Sequence, residues 1–206
     1  MTTAEGGAVT WNTNAGIDDD HMYKDYMLLS LHGQSKDALA KTMAGAWEYD
    51  ILTLGYKNNM TDIAAAFGLA QLSRYTSMQK RREQIAKIYD NNLPEFAVEP
   101  MCHRGPDFAS NYHLYMVRVK DADEITRNKL ITAMTDAGVA TNVHFKPLPM
   151  FTAYKSLGFS INDFPNSYEQ YKNEITLPLY SMLADDDAQY ICSAFLSKLN
   201  EIRNTH

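Results

Sequence analysis

Cysteine is scarce in this 206-residue chain, which has only Cys102 and Cys192. Two thiols so far apart cannot build a disulfide framework or supply a four-cysteine zinc site. Long hydrophobic runs are missing as well. The longest small-and-apolar stretch, Ile63 to Ala70, falls far below the roughly 20 residues that a bilayer crossing needs. Glu5 and the run Asp18-Asp19-Asp20 leave no signal-peptide pattern near the start. A reducing, cytosolic compartment is the expectation. Positive charge is in deficit too: nineteen basic against twenty-five acidic residues give a formal charge of −6. Its one concentration, Lys80-Arg81-Arg82, is followed by Glu83, Lys87 and Asp90 and reads as a solvated helix face. Nucleic-acid and membrane partners are therefore not expected.

The catalytic signatures that a sequence can carry are few here. The histidines at 21, 32, 103, 113, 144 and 206 include no pair spaced to place two metal ligands on one face. Neither a G-x-S-x-G elbow nor a G-x-x-x-x-G-K-[ST] loop occurs. The composition is that of an ordinary globular protein, at 45% hydrophobic and 21% charged residues, enough for one full domain or two small ones.

Ala8-Val9-Thr10-Trp11 reads as a short strand between Gly6-Gly7 and Asn12-Thr13-Asn14. The acidic run then precedes a helical pattern, Met22, Tyr26 and Leu29, stopped by His32-Gly33. Residues 34–59 read as irregular, and Trp47, Tyr49, Ile51, Leu52 and Leu54 imply a loop that packs onto something. The clearest helix runs from Thr61 to about Asn91, with Thr61 as its cap and Asp62 at its positive end. Its first half, Ile63 to Ala70, is small and apolar nearly all round and is expected to be buried. Its charged second half is expected to be wet.

Beyond Leu93-Pro94 the pattern changes. His113 to Val119 alternates as a strand, Glu124 to Ala137 is an amphipathic helix ended by Gly138, and Val139 to Phe145 reads as the next strand. Ser167 to Asn173 reads as a short helix, Ile175 to Leu177 as a short strand, and Asp185 to Leu199 as a final helix led by its acidic run. Strands and helices alternating in this way describe a small α+β domain.

Three places draw chemical interest. Gly55-Tyr56-Lys57-Asn58-Asn59-Met60, ahead of the long helix, suits a bound phosphate and equally reads as a capped loop. His144-Phe145-Lys146-Pro147, at the end of an expected strand, places a His and a Lys near a proline turn, where His144 reads as a pocket residue or a surface one. Asn111-Tyr112-His113 reads either as a site or as the opening of a strand. Glu5-Gly6-Gly7 offers backbone amides to an anion or simply turns the chain.

At these motifs the chain resembles the DegT/DnrJ/EryC1/StrS sugar aminotransferases, pyridoxal-phosphate enzymes of fold type I. Thr2-Thr3-Ala4-Glu5-Gly6-Gly7-Ala8-Val9 is similar to the family's T-T-x-E-G-G-x-V segment. Gly55 to Ile63, with Ala65-Ala66 and Gly68-Leu69-Ala70-Gln71-Leu72, resembles its helix entry. Arg81-Arg82, Ile85-Ala86, Tyr89, Tyr112-His113-Leu114-Tyr115, Gly138-Val139, His144-Phe145, Pro147-Leu148 and Leu177-Pro178-Leu179-Tyr180 follow in family order.

The resemblance implies an α/β chain. Residues 1–92 would be a remnant of the PLP-binding large domain with its linking helix, and 93–206 the small C-terminal α+β domain. It implies PLP as cofactor, a nucleotide-linked keto sugar and glutamate as substrates, and a homodimer or pairing with a full-length paralogue. Ala4 and Lys57 resemble the branch that makes UDP-4-amino-4-deoxy-L-arabinose. Lys57 matches the position from which one subunit reaches the cofactor phosphate of its mate, although many relatives read N-Y-R where this chain has Lys57-Asn58-Asn59. His144 lies on the segment bordering the sugar substrate. The lysine that carries the cofactor belongs to an S-F-x-x-x-K segment and would fall two residues ahead of Met1. The chain alone is then expected to be inactive. A non-catalytic partner or regulator of a full-length paralogue is the alternative.

Overall fold

A computed structural model describes residues 1–12, 16, 18–35 and 47–204. The chain divides into two compact units, Met1–Tyr75 and Thr76–His206. That division falls inside the long helix.

In the first unit, helix α1 (Asp19–Ser30) starts where Asp18 accepts hydrogen bonds from the amides of Asp20 and His21, at 3.0 and 3.3 Å. Asp19 and Asp20 then sit at the positive end of the helix dipole. The helix stops as expected, with His32 and Gly33 both at positive φ. A Cβ on Gly33 would lie 1.9 Å from the Thr53 carbonyl oxygen, and one on Gly55 would lie 2.5 Å from the Gly33 nitrogen. Only glycine lets the two backbone segments cross here. Short bridges pair Leu31 with Lys57 and Gln34 with Ile51.

The expected strand at 8–11 is absent: among the described residues it pairs with no neighbouring strand. Asn12 is the one described member of its expected closing turn, and the first part of the expected 34–59 loop, 36–46, lies outside the described residues, as does His206. The apolar residues of the rest of that loop do not pack as expected. Trp47 and Leu54 are 78% and 92% exposed.

Helix α2 (Asp62–Asn92) begins with Thr61 Oγ1 accepting from the amide of Ala64 at 3.3 Å. Its burial is the reverse of the sequence expectation. Ile63, Phe67, Leu69 and Leu72 are exposed, while Ile85, Ala86 and Tyr89 in the charged half are fully buried. The reason is where partners exist. Small residues in the first half do admit a neighbour, since a Cβ on Gly68 would lie 3.0 Å from the Thr3 side-chain methyl, but among the described residues no core within the first unit covers the larger side chains. In the second half three apolar residues share one stripe and meet the sheet of the second unit.

That sheet holds β1 (Val98–Pro100), β2 (Tyr115–Val119) and β3 (Glu174–Leu177), antiparallel in the order β1-β2-β3. Tyr115 pairs with Leu177, Val117 with Ile175, and Val119 with Val98. Alternation sends Val98, Tyr115, Val117, Val119, Ile175 and Leu177 into the core. Glu99, Met116, Arg118, Glu174 and Thr176 fall on the opposite face. Helix α3 (Glu124–Asp136) is capped by Asp123, whose carboxylate accepts from the Thr126 amide at 2.8 Å, and ends at Gly138 with φ 76°. It packs on α6 (Asp185–Asn204), which contributes Ala188, Ile191, Cys192, Phe195 and Leu199 to the core. Burial pushes the Cys192 thiol up to about 11, so it is a packing residue.

Val139 to Phe145 is not a strand. A single bridge between Asn142 and Thr176, on the outer edge of β3, is all it forms. The structure adds β1, a short helix α4 (Thr152–Ser156), and α5 (Pro165–Tyr171), which begins two residues before the expected helix.

Arg127, on α3, is 1% exposed. Its guanidinium donates to the carbonyls of Tyr171 and Glu174 at 3.1 and 3.3 Å and to Asn128 at 2.8 Å, and lies 4.6 Å from the Tyr171 ring centroid. It thereby ties the end of α5 to the start of β3. Arg127→Met keeps the stem but orphans both carbonyls, and should cost about 2–3 kcal/mol of unfolding free energy. Urea titration should show a lower midpoint with an unchanged slope.

Candidate functional site

Each unit has its own cavity. In the first unit about 1030 Å³ is enclosed by Glu5-Gly6-Gly7, by α1 through Tyr26 and Met27, and by Asn58-Asn59 with Thr61 at the start of α2. Trp11 stacks on Tyr26 with centroids 5.7 Å apart and donates its indole N–H to Asp19 at 2.6 Å, fixing one wall. Two motifs far apart in sequence, Glu5–Gly7 and Asn58–Asn59, are thus brought together. Lys57 is not. It is exposed and outside the lining, on a backbone hooked to α1 by hydrogen bonds from the Tyr56 amide to the Leu29 carbonyl and from the Asn58 amide to the Ser30 carbonyl, 2.7 and 2.8 Å long.

The second unit holds a cavity of about 650 Å³ on the open face of its sheet, lined by Glu99, Met116, Arg118, His144, Tyr171 and Glu174 among others. His144 arrives there through the Asn142–Thr176 bridge, closed by hydrogen bonds of 2.8 and 3.2 Å. Its backbone N–H donates to Glu174 Oε2 at 2.9 Å, and its Nδ1 lies 2.8 Å from Thr176 Oγ1. The Thr176 hydroxyl donates to Glu174 Oε1 at 2.6 Å. Glu174 and Thr176 are both buried. Arg118 donates to Asn173 at 3.2 Å and pairs with Glu99 at 3.4 Å.

Sequence reasoning found His144 but missed Thr176, Glu174 and Arg118. The signal lay in Glu174-Ile175-Thr176-Leu177, where polar and apolar residues alternate and so face opposite ways. Lys146 does not join the cavity, since its ammonium lies 5.3 Å from the Phe151 ring centroid. His113 precedes β2 rather than opening it, with its amide donating to Asn111 Oδ1 at 3.0 Å. Among the described residues no group of His, Cys, Asp and Glu could hold a metal, and no helix is long and apolar enough to cross a membrane.

The DegT/DnrJ/EryC1/StrS aminotransferase family model matches residues 1–196. The chain belongs to that family.

Spore coat polysaccharide biosynthesis protein SpsC of Bacillus subtilis is 38% identical over 200 residues, covering 94% of this chain and 49% of SpsC. Protein MJ1066 of Methanocaldococcus jannaschii is 37% identical over 98% of this chain and 52% of its own. Among solved structures, Spr1654 of Streptococcus pneumoniae, a provisionally named sugar aminotransferase in its PMP form, superposes with a TM-score of 0.90. It is 48% identical over 97% of this chain and 50% of that one. Its PLP form gives 0.88. PseC of Helicobacter pylori, at 24% identity and a TM-score of 0.74, shares the fold. The chain spans about half the length of the curated relatives it matches.

Family members use PLP, so the two cavities can be tested against that cofactor. Among the described residues neither lining includes a lysine. In the first unit the only charged lining residue among the described ones is Glu5, and a carboxylate repels a phosphate. In the second, Arg118 is already engaged by Glu99 and Asn173, and two carboxylates share the wall. These residues do not by themselves fit PLP.

His103, next to the cavity-lining Cys102, is a different kind of histidine. It is nine-tenths buried, stacked on Tyr112 and Tyr115 with centroids 4.8 and 5.6 Å away, and neither ring nitrogen has a hydrogen-bond partner. Desolvation lowers its pKa, opposed by the Asp90 charge. The unfolded chain therefore takes up a proton near pH 6.5 that the folded chain refuses until lower pH. This contribution is fully present above about 6.5 and is lost as pH falls toward the folded value, by at most about 1.4 kcal/mol per pH unit. His103→Phe should lessen the acid loss of stability in denaturant titrations between pH 7 and 5. Parallel profiles for the two proteins would rule this out.

Proposed function

We propose that this chain is the C-terminal part of a PLP-dependent aminotransferase acting on a nucleotide-linked keto sugar, with glutamate as amino donor, in polysaccharide or amino-sugar biosynthesis. The reading is carried by one observation: 48% identity and a TM-score of 0.90 to the pneumococcal relative, sustained over 97% of the chain but half of that protein. Residues 1–92 then serve as the rear of the large domain with its linking helix, and 93–206 as the small domain. The lysine that carries the cofactor and most of the phosphate cup lie outside the 206 residues.

Lys57 is assigned to the cofactor phosphate of a dimer mate. Its exposed side chain, outside its own unit's cavity, suits a contact made away from that cavity. His144 is assigned to the sugar side. Ala4 and Lys57 alone favour the amino-arabinose branch. A cytosolic location belongs to the same reading and fits free thiols at Cys102 and Cys192. The second reading, a non-catalytic partner of a full-length paralogue, draws on the exposed Ile63, Phe67, Leu69 and Leu72 of α2.

Mixed with PLP and treated with borohydride, the isolated chain should yield no stoichiometric cofactor–lysine adduct by peptide mass spectrometry; one would overturn its dependence on outside residues. Fused behind the N-terminal half of the pneumococcal relative, it should support amino transfer from glutamate to a nucleotide-linked keto sugar. A folded, PLP-loaded but inactive fusion would count against the transferase reading and favour the second.

A further inference from the structure

We infer that Thr176 and Glu174 form a relay that locks His144 as its Nδ1–H tautomer, turning Nε2 into a hydrogen-bond acceptor for a hydroxyl of a sugar ligand in the 650 Å³ cavity. The assignment of sugar as ligand rests on the function proposed above; the tautomer does not.

The argument is a count of hydrogens. Glu174 accepts at both oxygens, from the Thr176 hydroxyl at Oε1 and from the His144 backbone N–H at Oε2, at 2.6 and 2.9 Å. A threonine hydroxyl has one hydrogen and two lone pairs. Its hydrogen is spent on Glu174, so toward His144 Nδ1, at 2.8 Å, it can only accept. The ring must then supply the hydrogen, and a neutral imidazole protonated at Nδ1 is an acceptor at Nε2.

Burial makes the arrangement one-way. Thr176 and Glu174 are 5% and 7% exposed, so water competes poorly for either, and turning the hydroxyl around would leave a buried carboxylate oxygen without its donor. Among the described residues Nε2 has no protein partner, while the ring lines the cavity. The adjoining wall offers donors and acceptors of the kind a polyhydroxyl ligand needs, in Gln170, Ser167 and Arg118. Thr176 and Glu174 are positioning residues in this scheme, because they act on the ligand only through His144.

The test reads the tautomer directly and needs no substrate. Uniformly ¹⁵N-labelled full-length chain is studied in alkaline buffer, where an ordinary imidazole is neutral. Long-range ¹H–¹⁵N correlations are assigned to His144 by their loss in His144→Gln. The wild-type ring should carry its hydrogen at Nδ1. Thr176→Val, which keeps the shape but removes the acceptor, should move it to Nε2, and Thr176→Ser should restore Nδ1. A wild-type ring protonated at Nε2, or a Thr176→Val ring unchanged from wild type, overturns the relay. Should Thr176→Val not fold, the wild-type and Thr176→Ser rings decide alone. A relay overturned in this way leaves the transferase reading intact, and an inactive fusion enzyme leaves the tautomer untouched.

Discussion

Strand β3 is buried on both of its faces, and the second unit is organised around that double burial. Ile175 and Leu177 enter the apolar core beside Tyr115, Val117 and Phe195, while Glu174 and Thr176 point the other way, toward His144. A side-chain period of two forces the division: any one-residue slip would put a carboxylate in the core and isoleucine in the cavity wall. The cost of either error, an unpaired buried charge or an exposed apolar side chain, fixes the register. Arg127 secures the same strand from α3 by holding the Glu174 carbonyl, so core, sheet and cavity share one four-residue segment.

The first unit is held differently. Its described contacts are mainly backbone: Leu31 with Lys57, Gln34 with Ile51, and the crossing at Gly33 and Gly55. These fix the path of the loop before α2 without burying its apolar side chains, and Leu54, Ile63 and Trp47 remain among the most exposed residues. Backbone bridges set geometry, whereas stability comes mostly from apolar area removed from water. The second unit, with Ile85, Tyr89, Tyr115, Leu130 and Phe195 all at 0% exposure, has the buried core that the described residues of the first lack.

The two cavities follow from these two constructions. One is bounded by loops and aromatic rings and has, among the described residues, a single charge, Glu5. The other lies on a rigid sheet, where Arg118, Glu174 and His144 are held by partners at both ends. A sheet face is the better place to fix a hydrogen-bonding side chain, because neighbouring strands set its direction.

Local chemistry was legible in the sequence. The acidic run ahead of α1, Thr61 before α2, Gly33 and Gly138 as stops, and the alternation of Tyr115 to Val119 all depend on groups within a few residues of one another. The family was legible for a related reason, since its motifs are short and run in order along the chain. The burial of α2 was not, because which half of an apolar helix is covered depends on what lies across from it. Nor was the failure of 139–145 to become a strand, since whether an alternating segment forms a ladder or one bridge is decided by the path it takes past the edge of β3. His144 could be picked out alone. That its ring nitrogen would meet Thr176, 32 residues on, was decided by the antiparallel pairing and the single bridge at Asn142, because hydrogen bonds act over about 3 Å and only the folded chain brings those atoms that close.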